Sequence, residues 1–495
     1  MPAPLLLLLA LPFPQEAQER PRGLVRHEAA AFGGYTLVAP LTEHTTFLID
    51  MQGRVVHRWP GAHAPSSVYL MDDGSVLRCV RIEENPVFQG GGICGRIERV
   101  SWDGTVTWAH EIADDYQTQH HDIEPLPNGN LLAIVWEYRY REDVLAVGRP
   151  ENEVSDKGFW PDAVLELRPT PPEGAEVVWE WHAWDHLVQD HDPEADRYGS
   201  VPDRPGCIDV NVDHRDRPPM TPEQIAAQEE LERQMAALGY AGGGDDEEED
   251  APPPPGGPGA ARGNGSDWLH TNAVDYDPVH DLVLLSSPNL SEIWIVDHST
   301  STEEAVEDRG GRFGRGGEIL WRWGNPRNHG AGEDADRQLF FQHDAQWIAP
   351  GLPGAGHVLV FNNGRDRGDG DWSSVLELEL PLEPGKGFVH EADQPHGPQA
   401  PVWSYADRGT FFGSFISGCQ RLPNGNTLIC QGPQGRVFEV TPDGTIVWEW
   451  WNDLGGEVQP GGPGGGIDKQ ALFRATRVAP DHPGLRGRTL APLPR

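Results

Sequence analysis

"GRVFEVTPDGTIVWEWW" (435–451) runs as a strand up to Asp443-Gly444 and as a second strand from there to a pair of tryptophans. Strand-type alternation on both sides of an Asp-Gly turn marks a β-hairpin. The same unit recurs as "GRIERVSWDGTVTWAHE" (95–111) and "DAVLELRPTPPEGAEVVWEWH" (162–182), with looser copies over 45–60, 291–324 and 373–407. A second hairpin unit precedes these. It reads "HHDIEPLPNGNLLAI" (120–134) and "SGCQRLPNGNTLICQG" (417–432), with relatives over 66–80, 270–287 and 343–364. Joined, the two units make four antiparallel strands, which is one propeller blade.

The sixth copy is split between the ends of the chain. "GGYTLVAP" (33–40) is a second strand without its first, and "FRATRVAPDHPG" (473–484) is a first strand near the C-terminus. The expectation is an all-β chain, a six-bladed β-propeller over 27–495. Strand closure between N- and C-terminal segments seals the ring, in the blade begun by residues 33–60. The tryptophans that end the outer hairpins read as packing between blades.

Two stretches stand outside the repeat. Residues 185–266 interrupt the third copy, with a helix expected over 221–238, opened by Thr221 with Pro222 at its first position. Residues 242–265, acidic and then Pro/Gly-rich, lack the apolar content for a packed core. At the start, the apolar run from Leu5 to Phe13 has the length of a signal sequence and is too short to span a bilayer. Residues 1–18 are therefore read as a signal peptide, and the protein as exported to the periplasm or beyond. No later apolar run has the length of a transmembrane segment.

The charge balance is 38 basic against 77 acidic residues, a net −39. Such a field argues against nucleic acid and anionic membrane as partners. An anionic substrate needs local positive groups to enter it. The five cysteines lack metal-ligand spacing. Cys419 and Cys430 flank Asn424-Gly425 five positions out on each side, so they are expected to face one another, as a disulfide or as two small buried residues. Cys79 and Cys94 form a second candidate pair. The oligomeric state stays open, a homo-oligomer included.

With the blades superposed on their first turn, the column five residues before the Leu of "LPNGN" holds Ser66, His121, His270, His343, Ser417 and Arg474. First strands line the axis of a propeller, so this column forms a ring around it. Asn272, two residues beyond His270, shares its face if both lie in one strand. A single histidine at a strand start more often serves the backbone around it than chemistry. Three at one repeat position are a different matter, because a filled channel is normally apolar. Neutral imidazoles act as nucleophiles and as acid/base groups near pH 7, and three of them also suit zinc or another transition metal. Arg474 in the same ring repels a cation and draws a tetrahedral anion, which favours sulfate or phosphate esters.

At these residues the chain resembles the bacterial arylsulfate sulfotransferases, most specifically in "DWLHTNAVDYDP" (267–278), "FFQHDAQWI" (340–348), "FNNG" (361–364) and "FRATRVAP" (473–480). The resemblance implies an exported six-bladed propeller. It would move a sulfuryl group from an aryl sulfate to a phenol, without cofactor or metal, through a transient sulfohistidine. His343 then matches the nucleophile. His121 and His270 with Asn272 match the groups that hold the sulfuryl oxygens and assist proton transfer, and Ser417 matches a small hydroxyl residue. One departure stands out: "SSPN" (286–289) places Pro288 where the family carries an arginine, which leaves Arg474 or Arg365 to supply an anion contact. The alternatives are a non-catalytic propeller that binds a ligand or partner, and a metal-dependent hydrolase or lyase with His121, His270 and His343 as ligands. Deleting residues 242–265 is expected to leave the melting temperature unchanged within about a degree, since surface substitutions away from packed groups cost little. Differential scanning calorimetry of the deletion variant checks this, and loss of folding would show the tract to be structural.

Overall fold

A computed structural model of the chain describes residues 21–82, 85, 87–212, 266–390, 394–455 and 469–494. The signal segment 1–18, the helix expected over 221–238 and the tract 242–265 lie outside the described residues. Six antiparallel sheets follow one another around the ring. From the axis outward, the first blade is built from Leu472–Val478, Tyr35–Pro40, Thr45–Asp50 and Val55–Pro60. The second is Pro65–Leu70, Val76–Arg81, Gly95–Val100 and Val106–Glu111, and the third Gln117–Pro125, Leu131–Glu137, Asp162–Pro169 and Ala175–His182. The fourth is Ala273–Asp277, Leu282–Ser287, Glu292–Asp297 and Trp321–Trp323, and the fifth His343–Trp347, Val358–Asn362, Ser374–Leu378 and Trp403–Ala406. The sixth is Gly418–Arg421, Thr427–Gln431, Arg436–Val440 and Ile446–Trp451.

The closure takes the form the split repeat implies. Leu472–Val478 pairs with Tyr35–Pro40, with Val478 opposite Tyr35 and Ala475 opposite Val38. Gly23–His27 adds a fifth strand to the outer edge of the sixth blade, opposite Trp451 to Trp448. It carries no repeat signature, and it covers an edge that would otherwise present unpaired backbone groups. The tryptophans behave as read: Trp448 is buried in a core shared by the sixth and first blades, and its Nε1 donates to Met51 O at 2.9 Å. Buried ion pairs also cross between blades. Glu166 of the third meets His298 beyond the third strand of the fourth at 3.1 Å, and Glu377 of the fifth meets Arg421 of the sixth at 2.5 Å. Glu439 of the sixth meets Arg477 of the first at 3.5 Å.

The interruption of the third repeat starts as packed structure. Leu187, Ile208 and Val210 join the core between the third and fourth blades, and Arg322 Nη1 donates to Cys207 O at 2.8 Å. No helix among the described residues is long and apolar enough to cross a membrane.

The cysteine expectation is corrected. The hairpin closes with Leu422 N donating to Asn426 O and Arg421 opposite Thr427, so the turn centres on Asn424 rather than between Asn424 and Gly425. Cys419 therefore faces Ile429, and Cys430 faces Gly418. A one-residue offset sends the two side chains to opposite faces of the sheet. Cys419 packs between the fifth and sixth blades and Cys430 between the sixth and first, and all five cysteines are free. Cys79 and Cys94 do adjoin, as thiols; Cys79 and burial push the Cys94 thiol up.

Truncation before Leu472 removes the inner strand of the first blade and with it the buried Leu472, Phe473 and Val478. At about 1.5–3 kcal/mol per large apolar side chain the loss is roughly 5–9 kcal/mol, comparable with the whole stability of an ordinary domain. The truncated protein is expected to lose its cooperative thermal transition, and a melt matching that of the full chain would refute closure as the source of stability.

Candidate active site at the entry of the inner strands

The backbone, before any side chain, sets this region apart. His121, His270 and Ser417 of the ring column have φ of +52°, +55° and +90°, and Phe341, Asp344 and Ile416 nearby have +56°, +52° and +43°. Non-glycine residues adopt this left-handed region at a cost of order 1–3 kcal/mol each. Ladder register breaks at the same level, between His343 and Gln346 of the fifth blade and opposite His121 in the third. The alternation expected for His270 and Asn272 therefore does not hold: the strand begins at Ala273, and both residues precede it.

His343, the first residue of its strand, is buried. Its Nδ1 lies 2.8 Å from Asn363 Oδ1. Asn363 Nδ2 donates to Gly413 O at 2.7 Å and to Ile416 O at 3.0 Å, so Oδ1 is the acceptor and the proton sits on His343 Nδ1. The lone pair is thereby fixed on Nε2, which Ile416 N–H approaches at 3.2 Å. Burial, offset in part by Asn363 and reinforced by the charges of His270 and Arg365, pulls the imidazole down to about 3. His343 is neutral at neutral pH. Asn363 lies in the quoted "FNNG", yet its role became visible only through the two carbonyls that orient its amide.

His270 Nδ1 pairs closely with Asp267. The loop that carries it is clamped: Ser287 Oγ donates to Leu269 O at 2.9 Å, Thr271 N donates to Asp162 Oδ2 at 2.7 Å, and Asn289 Nδ2 donates to Asp267 O and Trp268 O, each at 3.2 Å. Pro288 sits between two of these clamping residues. Asn272 Nδ2 donates to Gln342 O, next to His343, at 2.8 Å, and its buried Oδ1 has no hydrogen-bond partner among the described residues.

The His121 ring stands edge-on to that of His270, with centroids 4.4 Å apart. Burial first, then the charges of His270, His120 and His343, hold it well below the usual histidine range. Gly92 lies directly over it; a Cβ there would stand 2.2 Å from the ring, and its φ of +76° is itself unfavourable to other residues. Neither Gly92 nor His120, which meets His121 from behind, was marked by the repeats.

The remaining ring members are tied into the surrounding structure. Ser66 Oγ donates to His121 O at 3.4 Å. Ser417 Oγ accepts from Gly432 N at 3.0 Å and donates to Phe415 O at 3.2 Å, holding the turn that aims Ile416 N at His343. Arg474 bridges Asp122, in close contact, and Asp344 at 2.9 Å, so its charge is shared between two carboxylates. Arg365, stacked 3.7 Å from the Phe341 ring, is the guanidinium whose charge reaches His343. At the other end of the inner strands a cavity of about 820 Å³ is lined by Glu124, Asp275, Asp344, Gln346 and Arg474. Burial pushes Glu124 well up and Asp275 up to about 7. Among the described residues, no three His, Cys, Asp or Glu side chains are arranged to hold a metal ion.

A closed six-bladed ring with three imidazoles, an amide and a guanidinium at the entry of its inner strands defines a propeller with an axial, histidine-lined site. The family model of the arylsulfotransferases (ASST) matches residues 34–447, and the chain belongs to that family. Solved structures with a similar fold include a protein of unknown function from Bacteroides caccae, at 11% identity over 90% of this chain and 98% of that one, with a TM-score of 0.41. A streptogramin B lyase matches at 9% identity over 87% and 86%, with a TM-score of 0.34. Virginiamycin B lyase from Staphylococcus aureus matches at 8% over 87% and 88%, with a TM-score of 0.31. No curated protein sequence matches the chain.

Gly92→Ala places a methyl group on the His121 ring and is expected to displace it. A displacement on the scale of 1 Å costs about 10²-fold in rate. Turnover measured beside a crystal structure of the variant checks this; full activity with an unmoved His121 would mean that the ring is not held from above.

Proposed function

We propose that the protein transfers a sulfuryl group from an aryl sulfate donor to a phenolic acceptor through a sulfohistidine on His343. The observation that carries this reading is the fixed tautomer of His343: Asn363 holds its proton on Nδ1, which makes Nε2 the basic nitrogen, and the bond Nε2 accepts from Ile416 N–H at 3.2 Å must give way when sulfur arrives. In the first half-reaction Nε2 attacks sulfur, the S–O bond to the aryl group breaks, and the leaving oxygen takes a proton from the neighbouring imidazoles. In the second, the acceptor's oxygen attacks the sulfur, its proton returns to those imidazoles, and the S–N bond breaks to restore His343. Splitting one displacement into two is the usual gain of covalent catalysis.

To Arg365, with the second N–H of Asn272 Nδ2, we assign the sulfuryl oxygens as charge spreads onto them, the role the sequence left between Arg365 and Arg474. Arg474 is held between two carboxylates and Arg365 meets Asp366 at 3.5 Å; that the charge of Arg365 reaches His343 supports giving it the role. Family membership supports a sulfotransferase-type activity, and the net −39 makes a local guanidinium necessary for an anionic donor. The apolar run at Leu5–Phe13 supports the further reading that the enzyme works after export.

His343→Ala and His343→Asn are expected to abolish both turnover and the covalent intermediate, since an amide can hydrogen-bond but cannot attack. His121→Ala and His270→Ala should slow the reaction by about 10²–10³-fold while some sulfohistidine still forms, the usual loss for one transition-state donor. Single-turnover mass spectrometry with phenyl sulfate, a donor whose leaving group needs a proton, reads both quantities. Sulfation of His343→Ala, or none of the wild type, would overturn the reading, and the second result would turn attention to a binding function.

A further inference from the structure

Neighbouring residues in a strand normally point to opposite faces. His120 and His121 do not. The left-handed backbone at His121 (φ +52°) brings the two rings together, Nδ1 to Nδ1 at 2.8 Å. At that distance one proton lies between them, because two lone pairs repel and two N–H groups clash. His120 is fully buried and stacked on Trp136, with ring centroids 4.2 Å apart. Its Nε2 faces Asp162 Oδ1 at 3.4 Å, while Asp162 Oδ2 accepts from Thr271 N, beside His270. Asp162 is itself buried at 2% exposure, and a buried carboxylate needs a compensating charge or proton.

We propose that Asp162 and His120 are positioning residues for the reaction: they form a proton relay that sets which nitrogen of His121 is protonated and stores the proton exchanged at its Nε2. The relay rests on the sulfuryl-transfer reading. When the aryl oxygen leaves, it takes the proton from His121 Nε2, and the shared proton moves from His120 Nδ1 to His121 Nδ1, so His120 passes from imidazolium to neutral imidazole beside Asp162. When the acceptor phenol attacks, its proton goes to His121 Nε2, the shared proton returns to His120, and His120 is again an imidazolium paired with Asp162. Protons and charge balance over the cycle. The device answers a difficulty of the site: burial and the surrounding cationic groups oppose a charge on His121 itself, and the relay moves that charge one residue back to a carboxylate.

The test compares two donors in single-turnover sulfation of His343. p-Nitrophenyl sulfate releases a stable phenolate that needs little protonation, whereas phenyl sulfate needs an acid. Asp162→Asn and His120→Gln are expected to slow transfer from phenyl sulfate by about 10²-fold or more, and from p-nitrophenyl sulfate by less than about fivefold. Equal loss with both donors indicates a merely structural role and overturns the relay, as does no loss with either. Independently of folding in the variants, ¹⁵N-imidazole NMR of the wild type is expected to show one Nδ1 proton shared by His120 and His121; two unprotonated Nδ1 atoms would overturn it. If the wild type accepts no sulfuryl group from either donor, the functional reading falls, and the NMR signal alone decides whether the proton pair exists.

Discussion

Everything in this molecule hangs on one strand pairing, between Leu472–Val478 and Tyr35–Pro40. A propeller blade packs its two faces against its neighbours, so a ring with one inner strand missing would leave two blades half unsupported. The seam is reinforced in two further ways. Arg477 of the closing strand is buried against Glu439 of the sixth blade and against the Trp448 ring, and Gly23–His27 lies along the outside of that same blade. The pair Arg477–Glu439 is fully withdrawn from water, and burial lowers the guanidinium only to about 10, so it stays charged. Breaking a pair of this kind typically costs about 3–5 kcal/mol because a lone charge is left behind.

Closure also places the axis. Once six inner strands are held parallel around it, whatever lies at their entry converges, and here the chain departs from regular strand geometry at His121, His270, Asp344 and Ser417. The departure is how the site is made. A regular strand would send His120 and His121 to opposite faces. The left-handed residues instead let His120 support His121 and point Ile416 N at His343. The surrounding clamps, from Asp162, Ser287 and Asn289, hold a loop that would otherwise relax.

The legible part of this design was the part that repeats. Alternation and Asp-Gly or Asn-Gly turns located the blades, the split copy located the seam, and the shared column located His121, His270 and His343. Features that occur once left no such mark: the outer strand Gly23–His27, the glycine over His121, and the amide of Asn363. The cysteines show the limit in its simplest form. Counting residues from Asn424-Gly425 gave a symmetric pair, but a turn centred half a residue earlier puts Cys419 and Cys430 on opposite faces. Likewise, position in the column put Arg474 on the axis without revealing that Asp122 and Asp344, each one residue past a column histidine, would share its charge.

The cavity at the far end of the inner strands has a consequence for the axis as a whole. Glu124, Asp275 and Asp344 look into it, and the guanidinium beside them is already divided between two carboxylates. Burial holds Glu124 and Asp275 toward their protonated forms, so this end offers carboxyl groups that can carry a proton rather than a wall of fixed negative charge. The opposite end offers imidazoles and Arg365. The two ends of the axis therefore present different chemistry, acidic groups around a shared guanidinium at one and nitrogen bases beside a second guanidinium at the other.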